Sequence, residues 1–231
     1  MNTEKTGSRG ADKGRGSKRE AAETTWSHPL NPEAGMTPMP SDPREVEAAM
    51  RAGRISLRLT PYYGFRYGER GARFTQSDSA FLATLPDHAE ATIKRQIEWL
   101  AGVLANRGMP SLLLEQHLRV LGRELSRAVP EKRAFYRALF VASDGLRARR
   151  TGLLPESAGR PIGEAFPEAA GLPSTRLARG TGHLLVAAVA DERAGMPNAV
   201  PSLEAFFLDR SVFPERFVAA ARQTIERARR A

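Results

Sequence analysis

The sequence predicts a mainly α-helical protein: a single-domain helical bundle of about six to eight helices, preceded by a disordered N-terminal tail. Three stretches in the middle of the chain repeat apolar residues at i, i+4, i+7 and i+11, which is helical spacing. Strand-like alternation is confined to one short stretch, 55–59. A chain of 231 residues without cysteine is long enough to bury a core with no metal or disulfide to support it.

Residues 1–42 form the predicted tail. They alternate glycine, serine, proline and charged residues, and offer little apolar surface to bury. Six Lys or Arg balance six Asp or Glu, so the tail is neutral. Trp26 is its only aromatic residue, and either docks on a partner or covers an apolar spot on the domain. The helical domain is then expected over 43–231.

The first helix is predicted to begin at Pro43 and to stop at Gly53. A glycine-containing stretch, 58–74, follows and is expected to be an ordered loop. Thr75 and Asp78 have the spacing of a capping box, with Asp in place of the usual Glu. They predict a short helix that ends before Pro86.

Three longer helices come next, each with one apolar stripe. The stripes are Ile93, Ile97, Leu100 and Leu104; Leu114, Leu118, Leu121 and Leu125; and Phe135, Leu139, Ala142 and Leu146. Gly108 suits a helix C-terminus and Pro110 the first turn of the next helix, which predicts a tight helical hairpin. Pro130 marks the second junction.

Residues 151–179 are rich in glycine and proline and are predicted to be a long, partly structured loop over the bundle. Helices return at 183–195, where apolar residues fill most of a turn and indicate a central position, near 203–208, and at 214–230.

The 58–74 stretch holds the predicted binding site, because it brings three of the four tyrosines together with several arginines. The residues are Tyr62, Tyr63, Arg66, Tyr67, Arg70 and Arg73. Tyrosine rings and guanidinium groups suit an anionic small molecule or a protein partner. The leading hypothesis is therefore a binding or regulatory protein that recognises such a ligand or partner here. The alternative is that the rings pack on the core while the arginines pair with carboxylates.

A second hypothesis is a haem- or metal-binding, globin-like sensor or enzyme, with His117 or His183 as the ligand. His117 shares the stripe of Leu114 and Leu121, and His183 opens a very apolar helix. The alternative for a lone histidine on an apolar face is a half-buried core residue with one hydrogen bond. The sequence demands no cofactor, although haem would fit this hypothesis.

Nucleic-acid binding is the third hypothesis. Arg133 and Arg137 lie on one face of the third long helix and would extend a basic surface if the 58–74 stretch folded beside them. The net charge of +9 is spread widely and carried mostly by arginine, so we expect only weak, non-specific binding.

Motifs of catalysis and cofactor binding are absent from the sequence, which favours a role other than that of an enzyme. The N-terminus has no apolar signal region, and no uncharged apolar stretch is long enough to cross a bilayer. We therefore expect a cytoplasmic protein without membrane contact.

Overall fold

The computed structural model describes residues 28–172 and 175–231. The predictions for Trp26 and for the rest of residues 1–27 lie outside this part of the chain. Throughout the described ranges the protein is helical, without a β-strand, and forms a single helical domain, which confirms the predicted fold class. The helices are α1 (Pro43–Leu59), α2 (Pro61–Thr84), α3 (Glu90–Ala105), α4 (Ser111–Ala128), α5 (Arg133–Leu153), α6 (Glu156–Glu164), α7 (Phe166–Ala169), α8 (Arg176–Arg193), α9 (Ala199–Phe207) and α10 (Glu215–Arg230).

Helices α1 and α2 correct several predictions. The 58–74 stretch is helical and not a loop, because Pro61 begins α2 and the helix continues to Thr84 with a kink at Gly68, whose φ is 55°. The 55–59 stretch is the end of α1 and not a strand. Gly53 does not stop α1; a Cβ there would lie 3.3 Å from Ser79 Oγ, so the glycine serves the close packing of α1 on α2.

Thr75 also differs from its predicted role. It lies inside α2, and its hydroxyl donates to the carbonyl of Gly71 one turn earlier, so it does not cap a helix. Asp78 lies on the same face, one turn further along α2. The spacing of Thr75 and Asp78 suggested a helix start, because Ser, Thr and Asp side chains can bond to backbone groups both at a helix start and inside a helix.

The hairpin of α3 and α4 confirms the prediction made from Gly108 and Pro110. Gly108 has a φ of 81°, in the left-handed region that favours glycine, and α4 begins directly after Pro110. Neither Pro110 nor another nearby side chain caps α4. Asp191 of α8 does so instead, since its carboxylate accepts from the Ser111 amide at 2.7 Å and from the Ser111 hydroxyl at 2.5 Å.

The predicted apolar stripes are largely buried. Those of α3 and α4 are buried except at Leu104, which is partly buried and packs against the apolar core that the other residues form. In α5 the residues Leu139 and Leu146 are buried, whereas Phe135 is 58% exposed and Tyr136 takes its expected place in the core. The stripe is therefore rotated by one residue at the start of α5.

The predicted loop 151–179 is mostly helical. It contains the end of α5, then α6 and α7, and the start of α8. Helix α6 packs closely on α8 because glycines face each other: a Cβ on Gly182 would lie 2.2 Å from the carbonyl oxygen of Gly163. Composition alone suggested a loop, because glycine usually interrupts a helix. In α6 and α8 the glycines instead lie where the two helices pack closely. The central position of α8 is confirmed by its continuous buried run from Leu184 to Ala190.

Residues 28–42, predicted to belong to the tail, pack on the domain. Asn31 is fully buried and donates to Ser77 Oγ of α2 at 3.3 Å. It also caps the short 3₁₀ helix Pro32–Ala34 by accepting from the Glu33 amide. Within residues 28–42, Asn31 thus ties the chain to α2 of the helical domain.

Candidate functional site

The predicted tyrosine and arginine site joins α2 to the rest of the bundle. Tyr62 is 2% exposed, and its hydroxyl donates to the Gly108 carbonyl at 2.5 Å. Arg66 donates to the Tyr62 hydroxyl at 2.5 Å and to the Ser202 carbonyl of α9 at 2.8 Å. Two of the six predicted residues therefore use their polar groups inside the protein.

The other members of this set lie nearer the surface. The Tyr67 hydroxyl donates to the Arg107 carbonyl at 2.7 Å, and the Arg66 guanidinium lies 5.0 Å from the centre of the Tyr67 ring. Arg70 and Arg73 are exposed and pair with Glu33, and the hydrogen bond from Arg70 is the main cause that lowers the pKa of that carboxyl. The structure thus brings these residues to one end of α2, with most polar groups already partnered.

The secondary basic face of α5 lies elsewhere. Arg137 lines an open groove between α3 and α5, whose rim carries the exposed side chains of Phe135 and Val141. Arg133 lies near the start of α5. Helix α5 packs mainly on α4, whereas α2 packs mainly on α1, so the two predicted basic elements do not form one helix pair.

A cavity among α1, α2, α3 and α4 is the candidate site, and we call it the Asp78 cavity. It encloses about 690 Å³, including the solvent at its mouth. Most of its wall is apolar, with leucines from all four helices. Its polar groups come from a few side chains: Ser56, Thr60, Tyr63, Thr75, Asp78, Gln116 and His117. An apolar cavity with a few convergent polar groups is the usual form of a small-molecule site.

Asp78 is the unusual member of this cavity. Within the described residues, no side chain or backbone group forms a hydrogen bond or ion pair with its carboxylate. Burial raises its pKa to about 6, and the more distant charge of Arg107 opposes that rise only in part. Near neutral pH the cavity therefore holds a carboxylate that titrates and has unused hydrogen-bond acceptors.

Tyr63 lies in the same wall. Burial is the main cause that raises the pKa of its phenol to about 12, and the negative charge of Asp78 contributes in the same direction. The hydroxyl therefore stays protonated near neutral pH and remains able to donate. Of the six residues predicted from the 58–74 stretch, Tyr63 is the one that lines this cavity.

His117 has both ring nitrogens engaged. Nδ1 lies 2.8 Å from Ser56 Oγ of α1, and Nε2 lies 3.1 Å from Ser79 Oγ of α2. His117 lines the cavity, and burial lowers its pKa to about 4. A neutral imidazole with two serine partners ties α4 to α1 and α2, and a metal bond would require the loss of one of these contacts.

His183 lines a different cavity, formed mainly by α4, α5, α6 and α8, which we call the His183 cavity. The two predicted haem or metal histidines are therefore not brought together in one site. Across residues 28–172 and 175–231, no three His, Asp or Glu side chains form a group that could hold a metal ion. None of the helices in these ranges combines the length and apolar character needed to cross a bilayer.

Sequence reasoning placed Asp78 at a helix cap and missed its role in the cavity. A usable signal was present, because Asp78 falls three residues after Thr75 and four before Leu82, on the face that α2 turns inward. An acidic residue on an inward face is costly unless partnered, and so points to a site.

Comparison of the chain with protein-family models, with curated proteins and with solved structures found no match.

Proposed function

We propose that the protein binds a slender, mainly apolar small molecule that carries a protonated amine, and that the Asp78 cavity is the site. The observation that supports this is the Asp78 carboxylate, which lies in an apolar cavity without a partner among the described residues. A partly buried carboxylate loses hydration without gaining compensating bonds. An ammonium group supplies both opposite charge and N–H donors, so its binding would remove that cost.

The walls of the cavity define the rest of the ligand. Leucines such as Leu82, Leu100 and Leu113 present an apolar surface suited to an alkyl chain or a small ring. The volume of about 690 Å³ includes the mouth, so the inner space suits a narrow ligand. Tyr63 and Gln116 add a donor and an amide that can orient a polar group.

The proposed role is still that of a binding or regulatory protein, but the proposed site is the Asp78 cavity and not the tyrosine and arginine set of the 58–74 stretch. Recognition of an anion or a protein partner by Arg70 and Arg73 stays a prediction; it would require these side chains to leave Glu33, and exposed ion pairs of this kind contribute little free energy. Haem binding, weak nucleic-acid binding and a cytoplasmic location also stay predictions. The free carboxylate of Asp78 distinguishes the amine hypothesis from all of these.

The test compares three ligands with the same chain and different head groups: octylamine, octanol and octanoate. Isothermal titration calorimetry at pH 7.5 should show octylamine binding at least about tenfold more tightly than octanol, since a buried charge-assisted hydrogen bond is worth about 1.5–3 kcal/mol. Octanoate should bind most weakly, because its charge repels Asp78. Affinity for octylamine should fall when the pH drops below the pKa of Asp78, about 6.

Two variants complete the test. Asp78→Asn should abolish the preference for octylamine over octanol while octanol still binds. Asp87→Asn is the matched control, because Asp87 is exposed at the end of the 3₁₀ turn that follows α2. Absence of binding by all three ligands would contradict the proposal, as would an amine preference that persists in Asp78→Asn.

A further inference from the structure

The His183 cavity is a second concave site with a different chemical character. It encloses about 1010 Å³, including its mouth, and its wall carries Arg150, Arg160 and His183 beside apolar side chains. It shares wall residues such as Gln116 with the Asp78 cavity, so the two lie side by side. Its polar groups are cationic or hydrogen-bond donors, except for Glu156.

Arg150 is held in a fixed orientation. Its Nε and Nη2 atoms both donate to Glu115 Oε2, at 3.1 and 2.9 Å, and only 14% of its side chain is exposed. The guanidinium has five N–H donors, so those on Nη1 are not used by this pair. A positioned guanidinium at the wall of a cavity is a preformed donor for anionic oxygen atoms.

Arg160 is held less tightly than Arg150 by contacts within the protein. Its one ion pair within the described residues is a long contact of 3.3 Å from Nη2 to Glu156 Oε2. Glu156 is bound more closely by Arg147, at 2.9 and 3.1 Å, and that hydrogen bond is the main cause that lowers its pKa. The negative charge of Glu156 is thus largely offset by Arg147, which leaves Arg160 available to a ligand.

His183 is positioned by backbone and not by hydrogen bonds. Its Nδ1 lies so close to α6 that a Cβ on Gly163 would be 2.6 Å away, and no hydrogen bond to either ring nitrogen occurs within the described residues. Burial is the main cause that lowers its pKa; the charges of Arg160 and Arg150 act in the same direction, and Glu164 opposes them. An anion between these groups would favour the protonated imidazole.

We propose that the His183 cavity is an anion site, in which Arg150, Arg160 and His183 bind the carboxylate or phosphate group of a small molecule. Three arginines in and beside this wall, Arg147, Arg150 and Arg160, pair with two carboxylates, Glu115 and Glu156, which leaves one positive charge for the ligand. The neighbouring apolar wall accommodates the body of such a molecule. This site does not depend on what the Asp78 cavity binds.

The experiment titrates the full-length protein with inorganic phosphate and, separately, with malonate, at pH 7 and at ionic strength held constant with sodium chloride. Calorimetry measures affinity, and NMR of the histidine ring nitrogens follows His183, assigned with a His183→Gln variant. Saturable binding should raise the pKa of His183, because the anion stabilises its protonated form. Binding of phosphate alone indicates phosphate esters as ligands, and binding of malonate alone indicates carboxylates.

Arg160→Ala tests the assignment, because this exposed side chain contributes little to the fold. Affinity for the anion should fall about tenfold, as expected for the loss of one charge-assisted contact. Arg222→Ala is the matched control, since Arg222 is an exposed arginine of α10 outside the cavity wall. Failure of both anions to bind, equal losses in the two variants, or an unchanged pKa of His183 would overturn the proposal.

Discussion

Replacement of Asp78 by asparagine should change the pH dependence of stability in a defined way. Asparagine keeps the size of the side chain and removes its titration. Asp78 has its pKa raised by burial from an ordinary value of 3.8 to about 6 in the folded protein. The folded state therefore holds the proton of Asp78 more tightly than the unfolded chain does.

The sign follows from this difference in proton binding. A raised pKa contributes stability that is fully present at low pH and is lost as pH rises from the unfolded value towards the folded one. The rise to about 6 corresponds to about 3 kcal/mol when the group is fully ionised. About 2 kcal/mol of this should appear between pH 4.5 and pH 7.5. Over that interval the wild type should lose this amount relative to Asp78→Asn.

Urea unfolding at several pH values, followed by circular dichroism, measures the effect. Subtracting the two free energies of unfolding removes every other titrating group, so only Asp78 contributes to the slope. The unpaired amide of the variant adds a constant and no slope. A difference for Asp78→Asn that stays flat with pH would refute the reasoning, and an opposite slope would show that Asp78 has a cationic partner.

Three further predictions concern the packing that shapes the cavities. His117→Gln should make the free energy of unfolding less dependent on pH below 6.5. The folded protein holds His117 neutral with a pKa of about 4, so the wild type loses up to about 3 kcal/mol of stability as pH falls from 6.5 to 4. Urea unfolding at several pH values measures this loss. Asp191→Ala should lose about 2–3 kcal/mol in urea unfolding at pH 7, since it leaves a buried helix start without its acceptor. Gly182→Ala should lower the melting temperature, because the new Cβ would clash with the Gly163 backbone at a cost of about 1–3 kcal/mol. Gly180→Ala is the control and should not lower it, because a Cβ at Gly180 meets open space.

The helical class and the hairpin of α3 and α4 were predictable because their signals are local. An apolar stripe repeats every helical turn and can be recognised without knowing which helix packs against it. Gly108 has a positive φ, a conformation that glycine itself favours. The same locality explains the errors. Gly53 and Gly163 look like breaks in helices, but both allow another helix to approach closely, and nothing in the nearby sequence shows that approach.

The candidate site was predicted only in part, because a site depends on which helix faces meet. The 58–74 stretch is the densest tyrosine and arginine segment of the chain, yet Tyr62 and Arg66 bond to a turn and a helix more than 40 residues away in sequence. Tyr63, one position along, lines a cavity with His117 of α4. Composition identifies such groups but does not tell which of them are satisfied.

By itself the sequence determined the helices, since hydrophobic periodicity and helix ends depend on residues within a few turns of one another. The tertiary structure decided which polar groups kept their bonding capacity. His117 gained two serines from other helices, whereas Asp78 was enclosed by apolar walls without a partner among the described residues. The physical reason is that desolvation and hydrogen bonding are set by neighbours distant in the chain, which the crossing of helices brings within a few ångströms.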